Sequence, residues 1–204
     1  KYGVDTLRLW MYSVNQPGES KNFDERTVEE YKKMLNLLDN VHVFYELYCD
    51  KKSEAETGFP KSDNVLDIWI LARLSGLIDA ITYDLDEYIV LEPVRSLRDF
   101  IEDFSTWYVR RSRERIKEGD KGAKKTLYFV LKNLSKLLAP FAPFAAEELF
   151  QKLRNEMDEI SVHMSKWPNW NFGGPEPISY MRKVRELVSL GLEARSKANL
   201  KVRQ

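Results

Sequence analysis

Apolar residues recur three and four positions apart through almost every segment of this chain, a period that one face of an α-helix satisfies and a β-strand cannot. The run from Val65 to Glu87 shows it most fully, with Ile68, Leu71, Ala72, Leu74, Ile78 and Ile81 as one stripe. The same spacing runs from Glu25 to Cys49 through Val28, Tyr31, Leu35, Leu38, Val41 and Tyr45, and Asp24 stands where a helix cap belongs. A shorter apolar helix, Val4 to Val14, stops at the turn signal Asn15-Gln16-Pro17-Gly18. A fourth begins near Pro93, buries Leu97, Ile101, Phe104 and Tyr108, and ends at Gly119. A fifth uses Leu127, Val130, Leu131, Leu134 and Leu138. Pro140 and Pro143 then turn the chain into a sixth with Phe144, Ala145, Leu149 and Leu153. A last helix spans Ile178 to Ala198. Asp50 to Asn64 is polar and reads as a surface loop, Ile160 to Met164 as a short extended piece, and Trp167 to Pro177 as a Gly/Pro-rich linker. The prediction is an all-α, antiparallel helix bundle with a short element at each end.

Several functions are excluded at once. The chain has no Gly-rich phosphate loop, no Gly-x-Ser-x-Gly elbow and no His-Glu-x-x-His pair. Its two histidines, His42 and His163, lie in different elements, and His42 reads as a packing or surface residue. Carboxylate pairs such as Asp84/Asp86 and Glu147/Glu148 sit in plain helical context. The one cysteine, Cys49, rules out an intramolecular disulfide and a Cys-x-x-Cys zinc site. No apolar run reaches the length of a membrane span. No catalytic residue and no metal ligand can be assigned.

The charge is zero in sum and uneven in place. Residues 105–125 carry eight Lys/Arg against three Asp/Glu, and residues 181–204 seven against two, while residues 79–103 carry two against eight. Two separate basic stretches suggest an extended anionic partner. The densest is Trp107-Tyr108-Val109-Arg110-Arg111-Ser112-Arg113-Glu114-Arg115. On a helix, Trp107, Arg111 and Arg115 fall in one row, and Arg110 and Arg113 in the next. Guanidinium forks suit phosphate oxygens, and flat rings or guanidinium planes stack on unpaired bases. The competing reading is a solvated face whose arginines pair with Asp99, Glu102 and Asp103 one or two turns earlier.

Several segments together resemble one family, the isoleucyl-tRNA synthetases of class Ia. Lys1-Tyr2-Gly3-Val4-Asp5-Thr6-Leu7-Arg8-Leu9-Trp10 resembles the helix that follows that family's Lys-Met-Ser-Lys-Ser loop. Leu66-Asp67-Ile68-Trp69-Ile70-Leu71-Ala72-Arg73-Leu74 resembles its helical-domain signature, and Phe100 to Arg113 is the most specific match. Leu138-Ala139-Pro140-Phe141-Ala142-Pro143-Phe144 is common to several class Ia members. Ser161-Val162-His163-Met164 before Trp167-Pro168, and Lys201-Val202-Arg203-Gln204, are again similar to the isoleucyl enzymes. His163-Met164-Ser165-Lys166 itself matches the nucleotide loop only by coincidence, since Trp167-Pro168 follows.

The resemblance implies an anticodon-binding helical domain, in an enzyme that ligates isoleucine to its tRNA with ATP. Residues 1–20 would end the catalytic, stem-contacting region, 21–166 would form the bundle, and 167–204 the linker and the start of a C-terminal junction. The partners implied are isoleucine-specific tRNA and the catalytic, editing and C-terminal domains of the same polypeptide. ATP and Mg would belong to the catalytic domain, so this segment alone is expected to hold no cofactor and to be non-catalytic. The location implied is cytoplasmic. Arg110, Arg111, Arg113 and Arg115 are candidate tRNA contacts, mainly to the backbone, with Lys197, Lys201 and Arg203 as a second cluster. Trp107 is a candidate contact too, although packing is the first expectation for its ring and more so for Tyr108. A helical protein-interaction scaffold, or the equivalent valyl-enzyme domain, is the alternative.

Overall fold

The computed structural model describes residues 1–15, 18–49, 58–172, 174 and 176–200, and among them every regular element is helical. The order is α1 (Val4–Val14), α2 (Glu25–Tyr48), α3 (Val65–Asp86), α4 (Leu91–Asp103), a π-helical turn (Phe104–Val109), α5 (Arg110–Lys117), α6 (Lys121–Leu138), α7 (Pro143–Leu153), a 3₁₀ turn (Val162–Met164) and α8 (Glu176–Lys197). The expected all-α bundle is therefore observed. Helix starts follow local chemistry: the side chains of Asp24, Asn64 and Asp120 accept the backbone N–H groups of Arg26, Leu66 and Ala123 at 2.9–3.0 Å. Gly119, at φ 94°, ends α5 in a left-handed conformation that a side chain would resist.

The core lies around α3, which packs against α4, α6 and α8. Because partners surround it on several sides, Trp69 and Ile70 are buried along with Leu71, Ala72, Leu74, Ile78 and Ile81. The stripe inferred from spacing is thus widened in the first half of the helix, with Ile68 only partly buried, while Gly76, Asp79, Ala80 and Tyr83 leave one face of the second half exposed. The α4 and α6 positions singled out from sequence, Leu97 and Ile101 and then Leu127, Val130, Leu131, Leu134 and Leu138, are fully enclosed. Helix α1 joins the same core through Leu9 and Trp10. Its polar side clamps the turn between α6 and α7. Asp5 Oδ2 accepts the Ala145 N–H at 2.6 Å, and Arg8 donates to the carbonyls of Phe141 and Pro140 at 3.1 and 3.2 Å.

Three local expectations need correction. The helix expected to run unbroken from Pro93 to Gly119 widens into a π turn between α4 and α5. Phe144 is largely exposed, because it lies in the first turn of α7 and faces away from the bundle; Phe150 fills the core instead. The piece expected to be extended at Ile160 to Met164 contains a 3₁₀ turn whose start is held by the Ser161 side chain. The Asp50-to-Asn64 loop is described only from residue 58 onward, where it is irregular.

Candidate nucleic-acid interface

The arginine-rich stretch begins in the π turn. There the Arg110 N–H reaches back five residues to the Ser105 carbonyl. The wider turn is held by aromatic packing, with Phe100 stacked on Phe104 and Phe104 on Tyr108 at centroid distances of 6.1 and 5.7 Å. Tyr108 is fully buried, as its sequence context suggested, and its hydroxyl donates to Asp67 Oδ1 at 2.8 Å. Burial and the adjacent Asp67 carboxylate push the Tyr108 hydroxyl pKa well above its ordinary value.

Arg110, Arg111 and Arg113 are exposed. Two of the three carboxylates nominated to neutralise them are engaged elsewhere: Asp103 pairs with Arg73 at 3.0 Å and Arg185 at 2.6 Å, and Asp99 pairs with Arg98, while the exposed Glu102 makes no ion pair with them. Among the described residues, none of these three arginines has an ion-pair partner. Partial burial, and after it repulsion from Arg110 and Arg185, lowers the pKa of Arg111. The guanidinium of Arg113 lies 5.2 Å from the Phe44 ring centre. Beside it, Asn40, Phe44, Ser105, Thr106 and Arg110 line an open groove between α2 and the arginine helix.

Arg115 departs from the expected set. Its guanidinium turns inward and makes a bidentate pair with Asp67, at 2.9 Å from Nη1 and 2.6 Å from Nη2, with further bonds to Asp120 and Ser112. The row expected through Trp107, Arg111 and Arg115 therefore holds only for its first two members. An arginine committed in this way to a fully buried carboxylate serves the scaffold, with 21% of its side chain left exposed. The ring of Trp107 is neither a core residue nor a free platform. It is half-buried against the core, with the guanidinium groups of Arg111 and Arg185 at 3.7 and 4.8 Å from its centre.

The second basic cluster is less concentrated than the first. Lys197 is exposed and pairs with Glu193 on its own helix at 2.7 Å, and Lys201 and Arg203 lie outside the described residues. Among the described residues of that stretch, Arg185 joins the site, bridging from α8 to Asp103 and Trp107. The positive balance of residues 181–204 signalled the stretch, but no local pattern distinguished Arg185. Among the described residues, no cluster of three or more His, Cys, Asp or Glu side chains is placed to hold a metal ion, and no helix is long and apolar enough to cross a membrane.

An all-α bundle that presents uncompensated arginines beside a half-buried indole is a surface suited to an extended polyanion. The chain belongs to the family described as "Anticodon-binding domain of tRNA ligase", which residues 67–204 match. It is 39% identical to an isoleucine–tRNA ligase of Clostridium novyi over 99% of this chain and 21% of that protein. It is 38% identical to the isoleucine–tRNA ligase of Chlamydia trachomatis serovar A over 100% of this chain and 21% of the relative. The chain thus spans about a fifth of the length of these relatives. Its fold is similar to that of a chain in the Agrobacterium radiobacter K84 agnB2 LeuRS-tRNA-LeuAMS ternary complex. That comparison has a TM-score of 0.62 at 18% identity and covers 83% of this chain and 20% of that one.

Proposed function

We propose that this chain is the anticodon-binding part of an isoleucine–tRNA ligase and that it grips the anticodon stem and loop of isoleucine-specific tRNA through the face formed by Arg110, Arg111 and Arg113. The observation that carries the reading is the exposure of three arginines that lack a carboxylate partner among the described residues, on a helix whose inner side is fixed by Asp67. Backbone phosphates are the first targets of such cations, and they set register and orientation. The groove beside Phe44 and Arg113 offers a guanidinium plane and the polar side chains of Asn40, Ser105 and Thr106 to an unstacked loop base. Adenylation with ATP and Mg, editing and transfer of isoleucine belong to other parts of the ligase. The bundle's share is to place the tRNA so that its acceptor end meets that chemistry in the cytoplasm.

Titration of the chain with an isoleucine-accepting tRNA transcript at several salt concentrations tests this. Affinity should fall steeply with salt, because each neutralised phosphate releases condensed counterions. Arg110→Ala combined with Arg113→Ala should flatten the log–log dependence by roughly one unit for each phosphate no longer neutralised. An unchanged slope in a folded double variant would place the arginine face away from RNA. Binding without preference among tRNAs, matched by equal binding to an acidic protein, would favour a scaffold instead.

A further inference from the structure

A buried carboxylate tied to both ends of the arginine-bearing turn does more than fill a core. Asp67 is wholly inaccessible, near the start of α3. It accepts the Tyr108 hydroxyl at 2.8 Å from the π turn and the forked guanidinium of Arg115 at 2.6 and 2.9 Å from α5. Ser62 adds a fourth bond at 2.6 Å. The exposed arginines lie between the two points of attachment.

Each residue of a helix is turned by about 100° from the last, so a one-residue slip in this stretch would swing every arginine by that angle. A π turn is the less favoured geometry, and on its own it relaxes toward α. Holding one carboxylate from both sides of the π-to-α junction, Tyr108 and Arg115 can be satisfied together only in the observed phase. A buried ion pair is also a poor source of net stability compared with apolar packing of the same volume, because desolvation offsets most of the attraction. What it supplies is direction.

We infer that Asp67 is a positioning residue for RNA binding: acting through Tyr108 and Arg115, it sets the angular phase in which Arg110, Arg111 and Arg113 meet the tRNA. This rests on the reading of that face as the RNA-binding one. Asp67 touches no ligand itself.

The test uses the full 204-residue chain and an isoleucine-accepting tRNA transcript, at a temperature below every variant's unfolding transition. Asp67→Asn removes the charge at constant shape, Tyr108→Phe removes only one hydroxyl, and Leu134→Ala in α6 is a destabilised control away from the arginines. Asp67→Asn and Tyr108→Phe should each bind roughly tenfold more weakly, the factor that corresponds to one well-made arginine–phosphate pairing. Their salt slope should also be shallower by about one unit for each phosphate that a displaced arginine fails to reach. Leu134→Ala should bind with the parent's affinity and slope. If Asp67→Asn does not fold, Tyr108→Phe carries the test alone. Parent-like affinity and slope in the folded Asp67 or Tyr108 variants would overturn the inference and leave the RNA reading standing. An equal loss in Leu134→Ala would overturn it too, by tracing the effect to stability. If the parent itself fails to bind the tRNA, the RNA reading falls first and the inference with it.

Discussion

Removing the Arg115 guanidinium while keeping its bulk, as in Arg115→Met, should be among the more damaging single changes in this chain. Asp67 would keep the hydroxyls of Tyr108 and Ser62 but lose two charge-assisted bonds, at 2.6 and 2.9 Å, in a fully buried position. Stranding one partner of a buried pair costs about 3–5 kcal/mol. The Arg115 side chain is 21% exposed and the two hydroxyls remain, so the lower end, about 3 kcal/mol, is expected. At roughly 2–4 °C per kcal/mol for a chain of this size, the melting temperature should fall by about 6–12 °C. The decisive measurement is the double variant. Asp67→Asn with Arg115→Met leaves no buried charge unpaired, so it should be more stable than Arg115→Met alone, and the urea-unfolding cycle should give a coupling of about 1–3 kcal/mol. Strictly additive losses would show that the guanidinium does not act through Asp67, and an Arg115→Met midpoint equal to the parent's that it contributes nothing; either would refute the argument.

Three further outcomes follow from single sites. Burial depresses the pKa of His42 below its ordinary 6.5, with the Glu46 carboxylate 3.7 Å away as a partial offset. A group with a lowered folded pKa favours the native state above its unfolded value and loses that contribution as pH falls. Urea midpoints should therefore drop between pH 7.5 and 5.5 more in the parent than in His42→Gln, and parallel pH profiles would count against this. Trp107→Ala should cost about 1–2 kcal/mol, less than the 3–5 kcal/mol of a fully buried indole, because the ring is only half-enclosed; a calorimetric loss at the upper figure would mean that the ring is core. Asp5→Ala should cost about 1 kcal/mol by uncapping α7 at the Ala145 N–H, and an unchanged thermal midpoint would show that water replaces the carboxylate.

The helices were legible because burial leaves a period in the sequence, and α2 and α3 end within a residue of their expected ends at Cys49 and Glu87. The π turn was not. Phe104 and Tyr108 are four residues apart, as in any helix, and the extra residue is visible only in which carbonyl each N–H finds. The inward turn of Arg115 was not legible, because its partner lies 48 residues away and a row drawn along one helix contains no distant carboxylate. A clue was present nevertheless: Asp67 stands alone among Leu66, Ile68, Trp69, Ile70 and Leu71, where an anion demands a buried cation or donor. Arg185 escaped for the same reason, since its ring and its carboxylate both belong to the helical stretch before α6. Exposure of Arg110, Arg111 and Arg113 agreed with their placement, because a solvent-facing side chain needs no remote partner.

The clamp from α1 onto the α6–α7 turn also orders events in time. Trp10 meets Thr27 only 17 residues on, at 2.7 Å, so α1 and α2 can pair as soon as both have emerged during synthesis. Asp5 must wait for Ala145, 140 residues later. At about 5–20 residues per second that delay is roughly 7–28 s, during which the α1 carboxylate has no helix end to cap. Contacts of such wide sequence separation form late. The bundle should close last at this corner, so a nascent chain stalled before residue 145 would hold a local α1–α2 hairpin while the opposite wall of its core is still unmade.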